Sequence, residues 1–141
     1  MTRQTNSANH AKLLLNKIVE DGDATVLARH NIMPSDMPTD IDRRAYDFIT
    51  SYAADNEGHA PAYALLVDTV KGFDYIPSVS DSYAYLTKQV KGFAAKQRIL
   101  SLFETGEFER NLNELDGNAF VTEYLPQVLS DIKSQTSVRK S

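Results

Sequence analysis

The stretch that decides the fold of this chain is residues 118–134, Asn-Ala-Phe-Val-Thr-Glu-Tyr-Leu-Pro-Gln-Val-Leu-Ser-Asp-Ile-Lys-Ser. Its apolar side chains recur at the three- and four-residue spacing that places them on one side of an α-helix. They form a stripe wider than the seam that a single antiparallel partner helix covers. The excess must be buried on other helices or on another chain, and Pro126 inside the stripe predicts a kink. The stripe comprises Phe120, Val121, Tyr124, Leu125, Val128, Leu129 and Ile132.

A second helical pattern precedes this stretch and completes a predicted hairpin. The break at 116–118, Asp-Gly-Asn, separates the two patterns, and helices joined by so few residues lie antiparallel. Gly106 interrupts the first helix at a cost of about 1 kcal/mol relative to alanine. We therefore predict a helical hairpin over residues 93–135, followed by the start of a linker at 136–141. The apolar positions of its first helix, 93–115, are Ile99, Leu102, Phe103, Phe108, Leu112 and Leu115.

The first 92 residues predict a globular helical head. The prolines at positions 34 and 38 leave residues 31–39 as a loop with at most one helical turn, and a linker with a further proline covers 72–80. No segment shows the sustained two-residue alternation of a β-strand. The predicted fold class is all-α, a compact multi-helix head followed by a long antiparallel hairpin. Spacing and capping residues predict head helices at about 7–21 (capped by Ser7), 24–30, 40–55 and 61–71, and one from Asp81 that ends or bends at Gly92.

The composition fits one folded domain and excludes several classes of site. The chain has 141 residues, of which 42% are hydrophobic and 24% charged, so we expect a real core. It has no cysteine, which excludes disulfides and Cys-ligated metals and fits a cytoplasmic location. The net charge of −4 argues against bulk attraction to nucleic acid or anionic lipid. No apolar run approaches the roughly 18 residues of a membrane span.

Motifs for catalysis or cofactor binding are not found in the sequence. The six glycines are scattered and form no phosphate-binding loop, and the histidines at 10, 30 and 59 form no metal-binding pair. We interpret Asp36, Asp40 and Asp42 as helix-capping residues rather than as an acid–base or metal cluster. The glutamates at 104, 107 and 109 fit a solvated helix face. We therefore predict no catalytic residue, no cofactor and no metal, and a chain that is not an enzyme by itself.

One concentration of positive charge leaves a nucleic-acid alternative open. Lys88, Lys91, Lys96 and Arg98 lie close together in the sequence, beside Phe93. Cations combined with aromatic rings are typical of surfaces that bind single-stranded nucleic acid. As a solvated helix face flanked by acidic neighbours these residues need no such role, and we favour that interpretation, so we expect direct nucleic-acid binding to be weak or absent. The alternative is a small helical nucleic-acid-binding adaptor, whose affinity would fall steeply with salt.

Several segments, spread over nearly the whole chain, carry a resemblance to a known family. They are His10-Ala-Lys-Leu-Leu-Leu-Asn-Lys-Ile-Val-Glu-Asp-Gly22, Arg43-Arg44-Ala-Tyr46-Asp-Phe48-Ile49 with Tyr52, Glu57-Gly58-His59-Ala60-Pro61, and 81–90 with Tyr85-Leu86. In this order they resemble the N-terminal domain of replicative DNA helicases of the DnaB type. Thr136-Ser137-Val138-Arg139-Lys140 then resembles the start of that family's linker to its motor domain. All of these are core-pattern positions rather than chemical signatures.

The resemblance implies a role in DNA replication through assembly. It implies a helical head and a hairpin through which copies of the domain pair and build a collar on a hexameric ring. Primase, and in some systems a helicase loader, would dock on that collar. ATP hydrolysis and strand separation belong to a C-terminal RecA-like domain that this sequence does not include. We therefore expect a homo-oligomer, dimer or higher, whose interface residues are Phe108, Leu112, Tyr124, Leu125, Val128 and Leu129.

Overall fold

The computed structural model describes residues 3–136, and side-chain surroundings from residue 9 onward. The chain is mostly helical, and within 3–136 the only β pairing is an isolated bridge between Asp23 and His59. The predicted all-α class is therefore confirmed. The elements are α1 (Arg3–Asp21), α2 (Thr25–Arg29), a 3₁₀ turn (Pro34–Asp36), α3 (Asp40–Asp55), α4 (Tyr63–Thr69), α5 (Tyr83–Glu104), α6 (Glu107–Glu114), α7 (Gly117–Ala119), a π-helical turn (Phe120–Tyr124) and α8 (Leu125–Thr136).

The hydrophobic core lies where α1 packs along the N-terminal half of α5, with α3 beside them. The helical spacing that the sequence shows in α1 and α3 brings their apolar side chains to this centre. No helix within the described range is both long and apolar enough to cross a lipid bilayer. The fully buried core residues include Leu14, Leu15 and Ile18 of α1, Ala45 and Ile49 of α3, and Leu86 and Val90 of α5.

Capping side chains explain where the helices of the head begin. The Thr39 hydroxyl accepts a hydrogen bond from the Asp42 amide at 3.1 Å, so α3 begins as predicted. The Ser82 hydroxyl accepts from the Tyr85 amide at 3.0 Å, which caps α5 one residue after the predicted Asp81. The prediction that Ser7 caps the first helix is wrong, since α1 already begins at Arg3. Residues 3–7 contain neither proline nor glycine, so nothing in them prevents helix formation.

Two glycines in the second half of the chain behave differently from each other. Gly92 keeps a helical backbone inside α5, so of the predicted end or bend the end is wrong, and the predicted boundary between head and hairpin falls within one helix. Gly106 adopts a positive φ of 83°, which α-helical residues cannot. The helix predicted over 93–115 is therefore two helices, the C-terminal half of α5 and the separate α6. Glycine at this position commonly ends a helix, whereas an interior glycine only weakens one.

The C-terminal residues 117–136 form one continuous helical stretch that contains the π-helical turn. Pro126 follows this turn; proline has no amide hydrogen, and its ring crowds the carbonyl group four residues earlier. An irregular turn at this place relieves that crowding. α8 packs against α5, and α6 contacts both α5 and the π-helical turn. The predicted linker at 136–141 lies outside the described residues apart from Thr136, which ends α8.

The segment between α4 and α5 is fastened to α1 by the buried amide side chain of Asn16. Its Nδ2 donates to the carbonyl oxygen of Asp74 at 3.1 Å, and its Oδ1 accepts from the Ile76 amide and the Tyr63 hydroxyl, each at 2.8 Å. Both polar ends of the buried Asn16 amide are thereby satisfied. The predicted linker over 72–80 is consequently part of the head rather than a free connection.

Candidate interaction surface

The C-terminal half of α5 leaves the core and is exposed over most of its circumference. Among residues 96–105, Leu102 is the one side chain that is not exposed. Leu102 lies with Val128 and Ile132 of α8 around a small cavity of about 50 Å³, so α8 covers this side of α5. The uncovered side carries three large apolar residues, which we call the α5 face. They are Ile99, Leu100 and Phe103.

An aromatic cluster joins α5, α6 and the π-helical turn. The ring centroid of Phe108 lies 4.7 Å from that of Phe103, 5.5 Å from that of Phe120 and 6.4 Å from that of Tyr124. Phe120 is buried, whereas Phe103 remains 57% exposed. Ring pairs at these distances attract each other beyond their simple area burial. The cluster therefore holds α6 against the C-terminal helical stretch within a single chain.

Glu107 contacts this cluster, so the prediction that it belongs to a solvated helix face is wrong. Its Oε2 accepts a hydrogen bond from the Tyr124 hydroxyl at 3.4 Å, and its side chain is partly buried. Burial of the hydroxyl raises the pKa of Tyr124 above its ordinary value, and the Glu107 charge raises it further. Glu104 and Glu109 are exposed, as predicted.

The six residues predicted at the interface divide into two groups. Leu112 is 51% exposed and Leu129 is 59% exposed, and Val121 of the π-helical turn is 59% exposed as well. We call these three residues the α6–α8 face. The other predicted interface residues are partly buried within the chain; two of them belong to the aromatic cluster, and Val128 lies beside Leu102 of α5. They are Phe108, Tyr124, Leu125 and Val128.

Sequence reasoning did not single out the α5 face. It placed Ile99 and Phe103 on the same apolar pattern as Leu102 and passed over Leu100. The signal lies in two adjacent apolar pairs, Ile99-Leu100 and Leu102-Phe103, which span about 160° of the helix circumference at about 100° per residue. One neighbouring helix cannot cover such a circumference. Here α8 covers the Leu102 side and leaves the rest exposed.

The basic cluster does not form one exposed patch, because Lys91 is 1% exposed. Its Nζ donates to Oδ2 of Asp36 at 2.8 Å and to the carbonyl oxygen of Asn31 at 2.9 Å. The same Asp36 oxygen accepts from the Met33 amide at 2.8 Å, so Asp36 caps the 3₁₀ turn as predicted and also neutralises Lys91. The interpretation of Lys91 as a solvated residue is wrong. The cations that remain exposed are Lys88, Lys96 and Arg98.

The other two predicted capping carboxylates both lie in the first turn of α3. Asp40 pairs with Arg43 at 3.3 Å and with Arg44 at 3.2 Å on the surface. Asp42 is buried, and this desolvation raises its pKa against the smaller lowering effects of the Thr39 hydroxyl and the Lys12 charge. No group of three or more His, Cys, Asp or Glu residues in the described part of the chain is arranged to hold a metal ion.

Large exposed apolar side chains on the C-terminal helices, like those of Leu65, Tyr75 and Tyr85 on the head, are thus not explained by packing within one chain. Comparisons with protein families, with characterised proteins and with solved structures find no match to this chain. The function of the α5 face and the α6–α8 face therefore has to be inferred from the residues themselves.

Proposed function

We propose that this chain is a non-catalytic assembly domain, of the type that precedes the motor domain in DnaB-type replicative helicases. In DNA replication it pairs with copies of itself through its C-terminal helices, contributes to the collar of a hexameric ring, and recruits primase or a helicase loader. The observation that carries the proposal is the exposure of Leu112, Val121 and Leu129 on those helices. Exposed apolar patches on a protein surface mark contact sites for other proteins.

The residues of the resemblance support the proposal by their position in the fold. Leu14, Leu15 and Ile18 of the first segment are fully buried, as is Ile49 of the second. The Tyr46 hydroxyl donates to the carbonyl oxygen of Ile32 at 2.7 Å, which ties α3 to the loop before it. These side chains build the head, as the resemblance expects of them. In this proposal, α5 and α8 are the two helices of the hairpin that the resemblance implies.

The distribution of charge also favours a protein partner. Residues 71–141 carry nine basic and nine acidic residues, so this half of the chain has no net charge. The buried ion pair of Lys91 with Asp36 further reduces the positive charge at the surface. A neutral apolar surface is suited to burial against protein, whereas contact with phosphates needs a concentration of positive charge.

Replacing Leu129 with aspartate tests the proposal. We expect the unmodified chain to sediment as a dimer or a larger species, and the Leu129→Asp chain to sediment as a monomer. Because Leu129 is more than half exposed, the new charge stays solvated in the monomer, so circular dichroism should show unchanged helix content. The partly buried Leu125 provides a second variant, Leu125→Asp, in which a loss of helix would mark an intramolecular role.

Two controls accompany this experiment. Ser130→Asp places the same charge on an exposed neighbouring position of α8 and should leave the assembly intact. Leu86→Asp buries a charge in the core of the head and should unfold it, which shows what a merely structural defect looks like. A strictly monomeric unmodified chain at high concentration, or a Leu129→Asp chain that assembles normally, contradicts the proposal.

A further inference from the structure

The α5 face carries one charge on each side of its apolar centre. Lys96 lies four residues before Leu100 and Glu104 four residues after it, so the three side chains share one side of the helix. All three are exposed. Neither Lys96 nor Glu104 takes part in an ion pair within residues 9–136. The face therefore offers a free cation and a free anion at equal distances from an uncovered leucine.

We propose that the α5 face binds the same face of a second copy of this chain, with the two α5 helices antiparallel and the two Leu100 side chains meeting at the two-fold axis. In this register Lys96 faces Glu104 of the partner subunit, and Glu104 faces Lys96 of the partner subunit. The inference rests on the self-association proposed above but assigns it a second, separate surface. Ile99 and Phe103 flank the axis and supply the remaining apolar contact.

The symmetry of the charges selects the antiparallel arrangement. In a two-fold contact between identical surfaces, residue i of one copy meets residue j of the other, and j meets i. Lys96 and Glu104 each lie about 6 Å along the helix axis from Leu100, so both opposite-charge pairs form at the same time. A parallel arrangement would set lysine against lysine and glutamate against glutamate, and like charges facing each other disfavour a complex.

The contributions of the two kinds of side chain differ. Exposed ion pairs add little affinity but fix the orientation of partners, whereas the affinity comes from burial of apolar area. Three large apolar residues from each copy form a contact smaller than a standard stable interface. The α5 contact is therefore a weak one that depends on protein concentration, and it is strengthened when another contact already holds the two copies together.

Charge reversal in the full chain tests the register. Lys96→Glu and Glu104→Lys should each weaken self-association about tenfold in sedimentation equilibrium, because each turns two attractive pairs into repulsive ones. The double variant Lys96→Glu/Glu104→Lys restores the opposite pairing and should restore the affinity. Lys71→Glu, an exposed residue of the head, makes the same change in net charge as Lys96→Glu and should leave self-association unaltered.

A single introduced thiol tests the position of the axis. Because the chain has no cysteine, Leu100→Cys carries the only thiol in the molecule. Residues that meet at a two-fold axis come close enough to form a disulfide, so mild oxidation should give a covalent dimer. Asn113→Cys, exposed on α6 and away from the axis, should give much less dimer under the same conditions.

The outcomes separate this inference from the proposed function. Self-association that is lost in Leu129→Asp but insensitive to charge reversal, with no Leu100→Cys dimer, overturns the α5 contact and leaves the proposed function standing. Rescue by the double charge reversal together with normal assembly of Leu129→Asp supports the α5 contact and overturns the role of the α6–α8 face. A chain that is monomeric at all concentrations overturns both.

Discussion

At the scale of single residues, the pairing of Lys91 with Asp36 shows how a charge becomes part of a core. The two residues are 55 positions apart, and their ion pair ties the middle of α5 to the loop before α3. Their side chains are 1% and 3% exposed, so water solvates neither charge. A buried charge that loses its partner is far more costly than an exposed one.

Lys91→Met should therefore destabilise the fold strongly. We expect the free energy of unfolding to fall by about 3–5 kcal/mol, because Asp36 keeps a buried, unpaired charge. Urea denaturation followed by circular dichroism measures this. Lys88→Met, an exposed lysine on the same helix, should change stability by less than about 0.5 kcal/mol. The double variant Lys91→Met/Asp36→Asn should recover part of the lost free energy of unfolding, because it removes the unpaired charge. If Asp36→Asn instead lowers the free energy of unfolding again by the same amount, the unpaired charge is not the cause.

Asp42 should give the stability of the head a measurable pH dependence. Burial raises the pKa of Asp42 above its ordinary value of 3.8. Between 3.8 and the folded-state pKa, the folded chain therefore binds more protons than the unfolded chain does. The free energy of unfolding consequently falls as the pH rises through this range. At neutral pH the ionised carboxylate therefore opposes folding. Asp42→Asn should therefore raise the free energy of unfolding at pH 7.

Thermal denaturation at two pH values checks this expectation. The advantage of Asp42→Asn should disappear below pH of about 3.8, where the carboxyl group is protonated in both the folded and unfolded states. Asp47→Asn removes an exposed carboxylate from the same helix and serves as the matched control. An advantage that persists in acid would mean that burial of the charge is not its cause.

Residue-level pairing is also where sequence reasoning fails most clearly. The capping role of Asp36 was predictable, because it follows Pro34 in a short loop and needs only local geometry. Its second partner depends on how α5 crosses that loop, which no local pattern encodes. The sequence therefore groups Lys91 with Lys88 and Lys96 in one basic surface, whereas in the structure Lys91 is buried and the other two are exposed.

At the scale of helices, Gly92 and Gly106 provide a comparison in which only the backbone differs. A Cβ added at either position meets no atom within 4 Å, so space does not decide the result. Gly92 has a helical backbone, and Gly92→Ala should stabilise the chain by about 0.5–1 kcal/mol through the lower entropy of the unfolded state. Gly106→Ala should destabilise it by about 1 kcal/mol or more, since alanine is strained at positive φ.

Chemical denaturation of the two variants, side by side, measures this difference. Because Gly92 is exposed and close to the α5 face, the comparison should be made at low protein concentration, where the chain is monomeric. Equal effects of the two substitutions would contradict the assignment of Gly106 as the residue that ends α5.

The positions of several helices can be predicted from the sequence, but which of the two glycines ends a helix cannot. Helical spacing, proline positions and capping hydroxyl groups located α2, α3 and the single turn in the loop over 31–39. The sequence carries two isolated glycines in similar surroundings, and only one of them ends a helix. Which glycine adopts a positive φ depends on where α6 must pack, and that is set by Phe108 and its aromatic neighbours rather than by local propensity.

At the scale of the whole molecule, the chain divides by its cores rather than at a loop. The main core contains no residue after Val90, and Phe120 is the buried member of a separate aromatic cluster. α6 and α8 reach the rest of the chain chiefly through α5. The head should therefore be stable without the C-terminal helices, which in turn depend on α5 as their support.

A chain that ends after Thr105 tests this division. It keeps every residue of the main core, so we expect a cooperative thermal transition and a helical circular dichroism spectrum. In the full chain, amide hydrogens of residues 107–136 should exchange faster than those of α1 and α3, because they are protected by fewer buried apolar contacts. An unfolded truncated chain would mean that the aromatic cluster is needed to form the head.

Direct nucleic-acid binding is the other property that belongs to the whole molecule. With a net charge of −4 and Lys91 buried, we expect no measurable binding of a labelled single-stranded oligonucleotide, by fluorescence anisotropy, even at low salt. Binding that weakens steeply with salt and is lost in Lys96→Glu/Arg98→Glu would favour the adaptor alternative over the assembly domain.

The π-helical turn before Pro126 has a consequence for how the length of this chain can vary. Phe120, Tyr124, Val128 and Ile132 recur at every fourth residue, and in a regular α-helix each step of four drifts by about 40° around the axis. A π-helical turn contains one residue more than an α-helical turn and so cancels much of that drift, which lets one row of side chains meet both Phe108 and Leu102. Loss of a single residue within 121–123 removes only the extra residue of the π-helical turn. A related chain that is one residue shorter here can therefore keep the contacts of this row with Phe108 and Leu102. A deletion inside α5, by contrast, would rotate the apolar side chains of the α5 face away from Lys96 or Glu104.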